Sequence, residues 1–283
     1  MMKISFSNVT PMEMQMLSSH FSAARIDIEQ LDKFMNPVMG LDHFLMSGPT
    51  FAPHPHAGFS AISYLFEDSK GGMLNRDSMG HSFIAQPGDV IWTQAAHGLV
   101  HDEVPVQTGQ KVHGIQLFVN LRGTNKNLPP EVFHLNASDA PQIGNNGNRV
   151  RLLVGCYQTY VSPLKPAEPF LMTDGYYKVE DELVLPPDWR TLFFQLKGDM
   201  TINVDGHQRR LQGPGIVGLH NRQITQVKLI PNTDSHLMVL AGPVNNEPVA
   251  SYGPFIMNNK QEIEAAITRY RNGDMGSLSP RHG

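Results

Sequence analysis

Short runs of β-branched and aromatic residues, each closed by Gly, Pro, Asn or Asp, recur along almost the whole chain. Such runs are typical of β-strands, because these side chains pack well on a pleated surface. The 25 Gly and 21 Pro among the 283 residues agree with frequent turns. We therefore predict an all-β protein. Clear examples of the runs are residues 61–66, 90–92, 112–119, 192–196 and 236–240.

Two local signals are more specific than the runs. Val204-Asp-Gly-His207 predicts a β-hairpin, because Asp-Gly tolerates the positive φ angles of a tight turn. One strong helix is expected near the C-terminus, with Asn259 as N-cap, Glu262 completing a capping box and Gly273 at the end. We expect its apolar face to close a barrel edge; that face consists of Ile263, Ala266, Ile267 and Tyr270.

The length of 283 residues suits two domains better than one. A polar, turn-rich stretch over residues 136–148, which contains Asn-Asn-Gly-Asn, is interpreted as the linker between two β halves. We thus predict one β domain over residues 1–135. A second β domain, together with the C-terminal helix, is predicted over residues 149–283.

Charge and cysteine content exclude several classes of protein. The net charge of −4 and the pI of about 6.3 do not indicate direct nucleic-acid binding. No segment approaches the ~20 apolar residues of a membrane span, and we expect neither a membrane partner nor a signal peptide. The single Cys156 excludes an internal disulfide and a Cys-rich metal site. We expect it to be a small buried side chain in a cytoplasmic protein.

Two pairs of metal-ligand side chains stand beside predicted strands. His54 and His56 form one pair, and His101 and Glu103 form the other. Residues two apart in an extended chain point to the same side, roughly 6–7 Å apart, so each pair can reach one ion. Two such pairs on neighbouring strands would present three imidazoles and one carboxylate to a common point. These ligands suit a divalent transition metal and leave room for water or substrate.

The chain has 13 histidines, and an isolated His-Pro-His is often ordinary surface sequence. For the quartet we favour metal binding, because both of its halves lie beside β segments and match each other. We interpret the other histidines, apart from His97, as surface residues or satisfied core residues: His20, His43, His81, His113, His134, His207, His220, His236 and His282.

At these residues the sequence resembles the pirin family of the cupin superfamily. The resemblance runs through ordered motifs over nearly the whole chain, at residues 41–44, 54–59, 76–78, 87–92, 97–105, 114–121 and 247–258. It implies a bicupin, in which two antiparallel β-barrels of the jelly-roll type lie face to face, with a C-terminal helix. It also implies that the N-terminal barrel holds the metal and that the C-terminal barrel carries no metal ligands.

Carried over position by position, the resemblance assigns His54, His56 and His101 as imidazole ligands and Glu103 as the carboxylate ligand. It implies one divalent transition metal, with Fe(II) as the expected ion. The ligand set also suits manganese, nickel, cobalt and copper, and the sequence leaves that choice open.

Four residues depart from the family pattern. Pirins usually carry Arg where this chain has Ala57, Glu where it has Ser60, and Gly-Arg where it has Ala96 and His97. We expect these changes to alter the mouth of the metal pocket and its electric field. We interpret His97 as a residue of the pocket rim; an additional ligand and a solvent-facing side chain are the alternatives.

Bacterial pirins resemble quercetinases, which use a metal and dioxygen to open the flavonol ring and release carbon monoxide. The resemblance therefore implies a metal-dependent dioxygenase that takes dioxygen as co-substrate and a flavonol or similar planar aromatic molecule as substrate. Glu103 is the natural acceptor for the proton of the flavonol 3-hydroxyl. The candidate pocket walls are mostly apolar, with a few polar groups: Met46, Phe51, Phe59, His97, Gln116 and Phe118.

The same resemblance also implies an alternative function. Eukaryotic pirins resemble redox-sensitive adaptors, in which the oxidation state of iron changes a surface that binds a regulatory protein partner. Such an adaptor would hold its metal stably, turn over little substrate and bind one specific protein. The loss of charge at Ala57 and His97 favours the enzyme over the adaptor.

Overall fold

The computed structural model describes residues 4–145 and 147–280. Within these ranges the chain forms two compact units, each assembled from separated segments. Unit 1 contains the N-terminal residues up to Glu13, Ile26–Pro37 and Asp139–Val244. Unit 2 contains Met14–Arg25, Val38–Ser138 and the chain from Asn245 onward. No helix in the described ranges is long and apolar enough to cross a membrane.

Most of the regular structure is β-strand, which confirms the predicted all-β class. The strands before residue 136 are β1 (Ile4–Phe6), β2 (Thr10–Pro11), β3 (Gln15–Ser18), β4 (Phe21–Asp27), β5 (Val38–Met46), β6 (His54–His56), β7 (Phe59–Leu65), β8 (Met73–Asp77), β9 (Ser82–Ala85), β10 (Val90–Gln94), β11 (Leu99–Pro105), β12 (Val112–Asn120) and β13 (Glu131–Leu135).

The later strands are β14 (Gln142–Asn145), β15 (Asn148–Val154), β16 (Cys156–Tyr157), β17 (Tyr160–Val161), β18 (Leu171–Tyr177), β19 (Asp181–Leu185), β20 (Trp189–Lys197), β21 (Asp199–Val204), β22 (His207–Gln212), β23 (Gly215–Asn221), β24 (Thr225–Pro231), β25 (Ser235–Pro243), β26 (Ala250–Tyr252) and β27 (Phe255–Met257). The helices are α1 (Ile28–Leu31) and α2 (Lys260–Asn272), with 3₁₀ turns at Asp32–Phe34, Asn125–Asn127 and Ala137–Asp139.

Unit 2 is built on two antiparallel sheets. One sheet has the strand order β13-β10-β7-β12-β5-β4-β3, and the other has the order β6-β11-β8-β9. Both sheets contribute to one apolar core, because Leu65 and Val112 of the first pack in the same cluster as Met73 and Ala85 of the second. The strand pair β26-β27 and helix α2 also belong to this unit.

Unit 1 follows the same plan with a larger sheet. That sheet has the order β1-β23-β20-β25-β18-β15-β14, with β2 also paired to β23, and a second sheet has the order β19-β24-β21-β22. Buried apolar side chains of both sheets fill the interior, as with Phe193 of β20 and Val227 of β24. The unit is therefore a closed, apolar sandwich.

The hairpin and the C-terminal helix are confirmed. β21 and β22 pair antiparallel around a turn in which Asp205 and Gly206 have φ angles of 49° and 83°. The Asn259 side chain accepts a hydrogen bond from the backbone N–H of Glu262, as a capping box requires. Gly273 ends α2 in the left-handed conformation, with φ of 81°.

Helix α2 packs within unit 2. Its buried residues Ile263 and Ala266 share an apolar cluster with Ala57, Val100 and Phe255. The sequence grouped this helix with the second β half, whereas its packing partners lie beside the strands that carry the candidate metal ligands.

Residues 136–148, interpreted as a linker, largely form regular secondary structure. Ala137–Asp139 forms a 3₁₀ turn and Gln142–Asn145 forms β14, which pairs with β15. Within this stretch the chain passes from unit 2 to unit 1 between Ser138 and Asp139.

The expectation for Cys156 is wrong, because its thiol is free and exposed. Gly155 takes a left-handed φ of 87° and ends the buried strand β15. The chain then turns, so that Tyr157 points into the core and Cys156 points outward.

Gly58, in the turn between β6 and β7, provides a test of how closely β27 approaches this turn. Its φ is +86°, and an added Cβ would lie 1.9 Å from the Ile256 carbonyl oxygen. Gly80 has a similar φ of +96° but nothing within 4 Å of the same position. Gly58→Ala is expected to lower the free energy of unfolding by about 3 kcal/mol, and Gly80→Ala by about 1 kcal/mol. Urea unfolding of both variants measures this difference, and equal losses would contradict the close approach.

Candidate metal centre

The two predicted ligand pairs lie on adjacent strands. β6 pairs antiparallel with β11, and His101 stands directly opposite His54. β6 is the edge strand of its sheet, so Pro55 can occupy its middle without breaking a second ladder of hydrogen bonds. Because Pro55 separates the two histidines of β6, both imidazoles point to the same side as His101.

The three imidazoles converge on one point. The distances between ring centroids are 4.8 Å for His54–His56, 4.8 Å for His54–His101 and 4.9 Å for His56–His101. Their candidate ligand nitrogens all lie within 4.8 Å of one another. Nitrogens that share one ion at about 2.1 Å lie roughly 3–4 Å apart, so small side-chain rotations would close the site.

A main-chain carbonyl orients His54. Its Nδ1 donates a hydrogen bond of 2.9 Å to the carbonyl oxygen of Ala52. Since a carbonyl can only accept, Nδ1 carries the proton and Nε2 keeps its lone pair. This arrangement, in which one ring nitrogen is held and the other faces the site, is typical of metal-bound histidine.

Burial keeps the other two histidines neutral. It is the largest cause that lowers the pKa of His56 to about 3; His54 lowers that pKa further, and the backbone of Pro254 opposes the shift. The pKa of His101 also lies well below its ordinary value, because of burial first and then of His56 and His54. Metal ions bind the unprotonated imidazole, so these shifts favour binding.

The buried nitrogens fit a metal ion. Both ring nitrogens of His101 are inaccessible to solvent and have no hydrogen-bond partner among the described residues. A buried polar atom without a partner costs about 1–3 kcal/mol, and a coordinated cation would remove that cost. Three converging imidazoles are a ligand set for borderline divalent metals. Residues 54, 56 and 101 could therefore hold such an ion.

Glu103 lies beside the imidazole cluster and is not one of its three members. Its Oε2 accepts hydrogen bonds from Ser63 Oγ at 2.8 Å and from Gln116 Nε2 at 3.3 Å. Burial raises the pKa of the Glu103 carboxyl to about 7; the Ser63 hydrogen bond opposes this shift and Asp102 adds to it. A carboxyl group with this pKa can take up or release a proton near neutral pH.

Sequence analysis missed Ser63 and Asn75. Ser63 of β7 stands opposite Gln116 of β12, so the two donors approach Glu103 from the facing sheet. Asn75 of β8 stands opposite Glu103 itself, is completely buried, and has no hydrogen-bond partner for either amide atom among the described residues. The sequence contained one signal for Asn75. It lies directly before the motif at residues 76–78, and because side chains alternate along a strand it shares a face with Asp77.

Three predicted pocket residues lie at the cluster. The Phe59 ring is 5.0 Å from the His56 ring, and the Phe118 ring is 6.0 Å from it. The two phenylalanines contact each other edge to face at 5.2 Å. Gln116 is next to the site through its bond to Glu103. One wall of the site is therefore aromatic and the adjacent wall is polar.

Two other pocket candidates, Met46 and Phe51, are placed differently. Met46 is in register with Val112, whereas Asp42 of the same strand is in register with Gln116. Met46 is therefore two same-face steps, or about 13 Å, along β5 from the level of Gln116, and it packs in the apolar core. Phe51 is half-exposed, and its ring lies 6.3 Å from that of His54.

Phe51 also lines a cavity of about 440 Å³ with Asp102 and Val104. These two β11 residues alternate with His101 and Glu103, so the cavity lies on the opposite face of the strand from the imidazoles.

The departures from the family pattern fall into two groups. Ala57 is fully buried in the apolar cluster with Phe255, and Ser60 is fully buried on β7. Ser60 and Ser63 are three positions apart in a strand and point to opposite faces, so Ser60 points away from Glu103. Neither position forms a pocket mouth, contrary to expectation.

His97 is exposed, as a rim residue would be. Its main-chain carbonyl accepts hydrogen bonds from the Arg269 guanidinium at 3.3 and 3.1 Å. Partial burial, followed by the charge of Arg269, lowers the pKa of the His97 imidazole.

Several of the remaining histidines are satisfied by carboxylates, in agreement with their interpretation as ordinary residues. These contacts are His81–Asp77 at 2.8 Å, His113–Asp68 at 2.6 Å, His134–Asp89 at 2.9 Å and His236–Asp174 at 2.5 Å. His113 also contacts His43 through their Nε2 atoms at 2.8 Å.

The Ser63 hydrogen bond should set the proton affinity of Glu103. Because this bond lowers the carboxyl pKa, Ser63→Ala is expected to raise that pKa further above about 7 in the metal-free protein. Ser60→Ala is the matched control, since the Ser60 hydroxyl has no partner among the described residues. Carboxyl-selective NMR or infrared titration measures the shift, and equal pKa values in both variants would contradict the assignment.

The same shift has a consequence for stability. The folded-state pKa of Glu103 lies above the ordinary carboxyl value of 4.5, so the folded protein binds this proton more tightly than the unfolded chain. The contribution of this tighter proton binding to the free energy of unfolding of the metal-free protein is fully present below about pH 4.5. It is lost as the pH rises through about 7.

The chain is similar to known proteins over most of its length. Residues 8–119 match the family model described as Pirin, and residues 177–276 match the Pirin C-terminal cupin domain. Pirin of Homo sapiens is 31% identical over 260 residues, which cover 90% of this chain and 87% of that protein. Pirin-1 of Arabidopsis thaliana is 28% identical over 267 residues, which cover 90% and 89%.

Among solved structures, quercetin 2,3-dioxygenase from Acinetobacter baumannii superimposes with a TM-score of 0.84 and 26% identity. The match covers 98% of this chain and 100% of that one. The two sandwiches are thus of the cupin type, as the sequence motifs implied. The chain belongs to the pirin family.

Proposed function

We propose that this protein is a metal-dependent dioxygenase of the quercetin 2,3-dioxygenase type, acting on a flavonol or a similar planar aromatic substrate. The observation that carries the proposal is the cluster of His54, His56 and His101, of which the last two are buried, with Glu103 two residues further along β11. The similarity to a quercetin 2,3-dioxygenase structure supports the choice of chemistry.

In this proposal His54, His56 and His101 hold one divalent ion, with Fe(II) as the expected metal, and Glu103 completes the ligand set. Once bound, such an ion supplies a Lewis acid that favours deprotonation of the flavonol 3-hydroxyl and a centre for reaction with dioxygen. The net reaction consumes one flavonol and one dioxygen. It releases carbon monoxide and leaves a phenolic ester that contains both atoms of dioxygen.

Glu103 accepts the proton of the substrate hydroxyl. In the metal-free protein burial raises its pKa to about 7, and a bound cation would lower that pKa and favour the carboxylate form, which can accept a proton. The hydrogen bond from Ser63 holds Oε2 on the side of β7, and the amide of Gln116 supports the same oxygen. Proton uptake by Glu103 leaves a neutral carboxylic acid, which the low-polarity surroundings favour.

Phe59 and Phe118 bind and orient the substrate. Their rings lie against His56, so a planar aromatic molecule that reaches the ion would contact an apolar wall. The adjacent wall offers the amide of Gln116 to a polar substituent. This combination of an apolar surface and a few polar groups is typical of sites that bind small aromatic ligands.

The metal-binding part of the proposal is tested by metal content alone. We expect purified protein incubated with Fe(II) without oxygen and then desalted to retain about one ion per chain, and His101→Ala to lose at least 100-fold in affinity. The matched control is His207→Ala, at the exposed first residue of β22 in unit 1. Elemental analysis measures the metal, and retention by His101→Ala would show that the ion binds elsewhere.

The catalytic part is tested with quercetin. Anaerobic reconstitution with Fe(II), followed by addition of oxygen, is expected to cause loss of the flavonol absorbance with matching oxygen consumption. Glu103→Gln should lower kcat/KM by about 10²–10⁴-fold, because the base is removed. Glu131→Gln, an exposed change of the same kind on β13, should leave the rate unchanged.

The outcome also separates the two functions that the family suggests. Tight metal binding without turnover of quercetin would contradict the dioxygenase and favour an iron-containing redox adaptor. In that case the Fe(II) and Fe(III) forms should retain different protein partners from a cell extract.

A further inference from the structure

A short segment near the C-terminus covers the outer face of the strand that carries His101. Along β11, Leu99, His101 and Glu103 point into unit 2, so Val100 and Asp102 point outward. Residues 275–279 lie along this outward face. The contacts they make follow β11 from its first residues to Asp102.

The first contact is apolar. Met275 is buried in the same cluster as Val100 and Ala57. It also packs directly on Gly98, since a Cβ added to Gly98 would lie 2.5 Å from the Met275 methyl carbon. The start of β11 is therefore enclosed by the side chain of Met275.

The second contact is a bridge through one hydroxyl group. Ser78 Oγ donates a hydrogen bond of 2.7 Å to the carbonyl oxygen of Met275. Ser78 Oγ in turn accepts a hydrogen bond of 3.0 Å from the backbone N–H of Val100. The main chain immediately before His101 is thus linked to residue 275 through a single atom.

The third contact is ionic. Arg76 of β8 stands opposite Asp102 and forms a two-pronged ion pair with its carboxylate, in which Nε lies 3.0 Å from Oδ1. The Arg76 guanidinium also donates a hydrogen bond of 3.3 Å to the carbonyl oxygen of Ser279. Asp102 is buried, with 2% of its side chain exposed, and it lies between His101 and Glu103 in the chain.

We propose that Arg76, Ser78 and residues 275–279, here called the C-terminal clasp, act as a positioning device for the metal centre. The clasp holds the main chain of Val100 and the side chain of Asp102, the two residues that flank His101. This inference rests on the metal-binding part of the proposed function, because it concerns how the chain sets the affinity of that site.

The need for such a device follows from the position of β6. As an edge strand, β6 has β11 as its paired neighbour in the sheet, so the relative positions of all three imidazoles depend on β11. Ligand sites require side chains held to within about 0.5 Å. The inner face of β11 meets the site itself, and the outer face is where it can be held without blocking the ion.

The experiment measures Co(II) binding to the metal-free, full-length protein by visible absorption. Arg76→Ala and Ser78→Ala are each expected to raise the dissociation constant for Co(II) about tenfold and to change the intensity of the cobalt bands. Arg76→Lys keeps the positive charge but lacks the planar guanidinium group, and it should recover part of the affinity for Co(II). Arg271→Ala, which removes the same charge from an exposed site on α2, should match the wild type.

Two further measurements separate positioning from general instability. Urea unfolding of each metal-free variant reports global stability. Ser78→Ala, which removes one oxygen atom, is the variant expected to remain folded at close to the wild-type urea midpoint. A weaker cobalt affinity in folded Ser78→Ala supports positioning, because a purely structural role would leave the affinity and the bands of the folded protein unchanged.

Failure of the clasp proposal can be distinguished from failure of the proposed function. If the wild type binds Co(II) and both clasp variants bind it equally well with unchanged bands, the clasp does not position the site, and the proposed function stands. If the wild type binds neither Co(II) nor Fe(II), the metal centre and the clasp are both wrong. Loss of quercetin turnover with intact metal binding bears on the proposed reaction and not on the clasp.

Discussion

The antiparallel pairing of β6 with β11 is the constraint on which the candidate centre depends. It sets His101 opposite His54 and turns His56 to the same side. A slip of one residue in this register would rotate every ligand of one strand to the opposite face. The short edge strand supplies two imidazoles at once, and its neighbour supplies the third together with Glu103. The geometry is therefore specified by a few main-chain hydrogen bonds.

Burial then prepares the chemistry of these side chains. Removing a group from water disfavours its charged form, which lowers the pKa of His56 and His101 and raises that of Glu103. One physical cause thus produces neutral imidazoles, which can bind a cation, and a carboxyl group that exchanges its proton near neutral pH. Without an ion, the imidazole nitrogens of His101 have no hydrogen-bond partner among the described residues. A bound metal ion would satisfy these nitrogens, which an empty pocket leaves without partners.

The C-terminal segment completes the same unit. β27 approaches Gly58 through the Ile256 carbonyl, helix α2 packs on the cluster around Ala57, and residues 275–279 cover the outer face of β11. The first and last parts of unit 2 are therefore joined around the candidate ligands, although more than a hundred residues separate them in sequence.

The sequence by itself determined the strand class, the Asp-Gly hairpin, the caps of α2 and the two ligand pairs, because each depends on residues at most a few positions apart. Only the tertiary structure brought Ser63, Asn75 and Gln116 to Glu103, from three strands distant in sequence. It also placed Met46 in the core and exposed Cys156. The physical reason is that alternation along a strand is local. Which strand faces meet depends on register and packing between residues far apart in the chain.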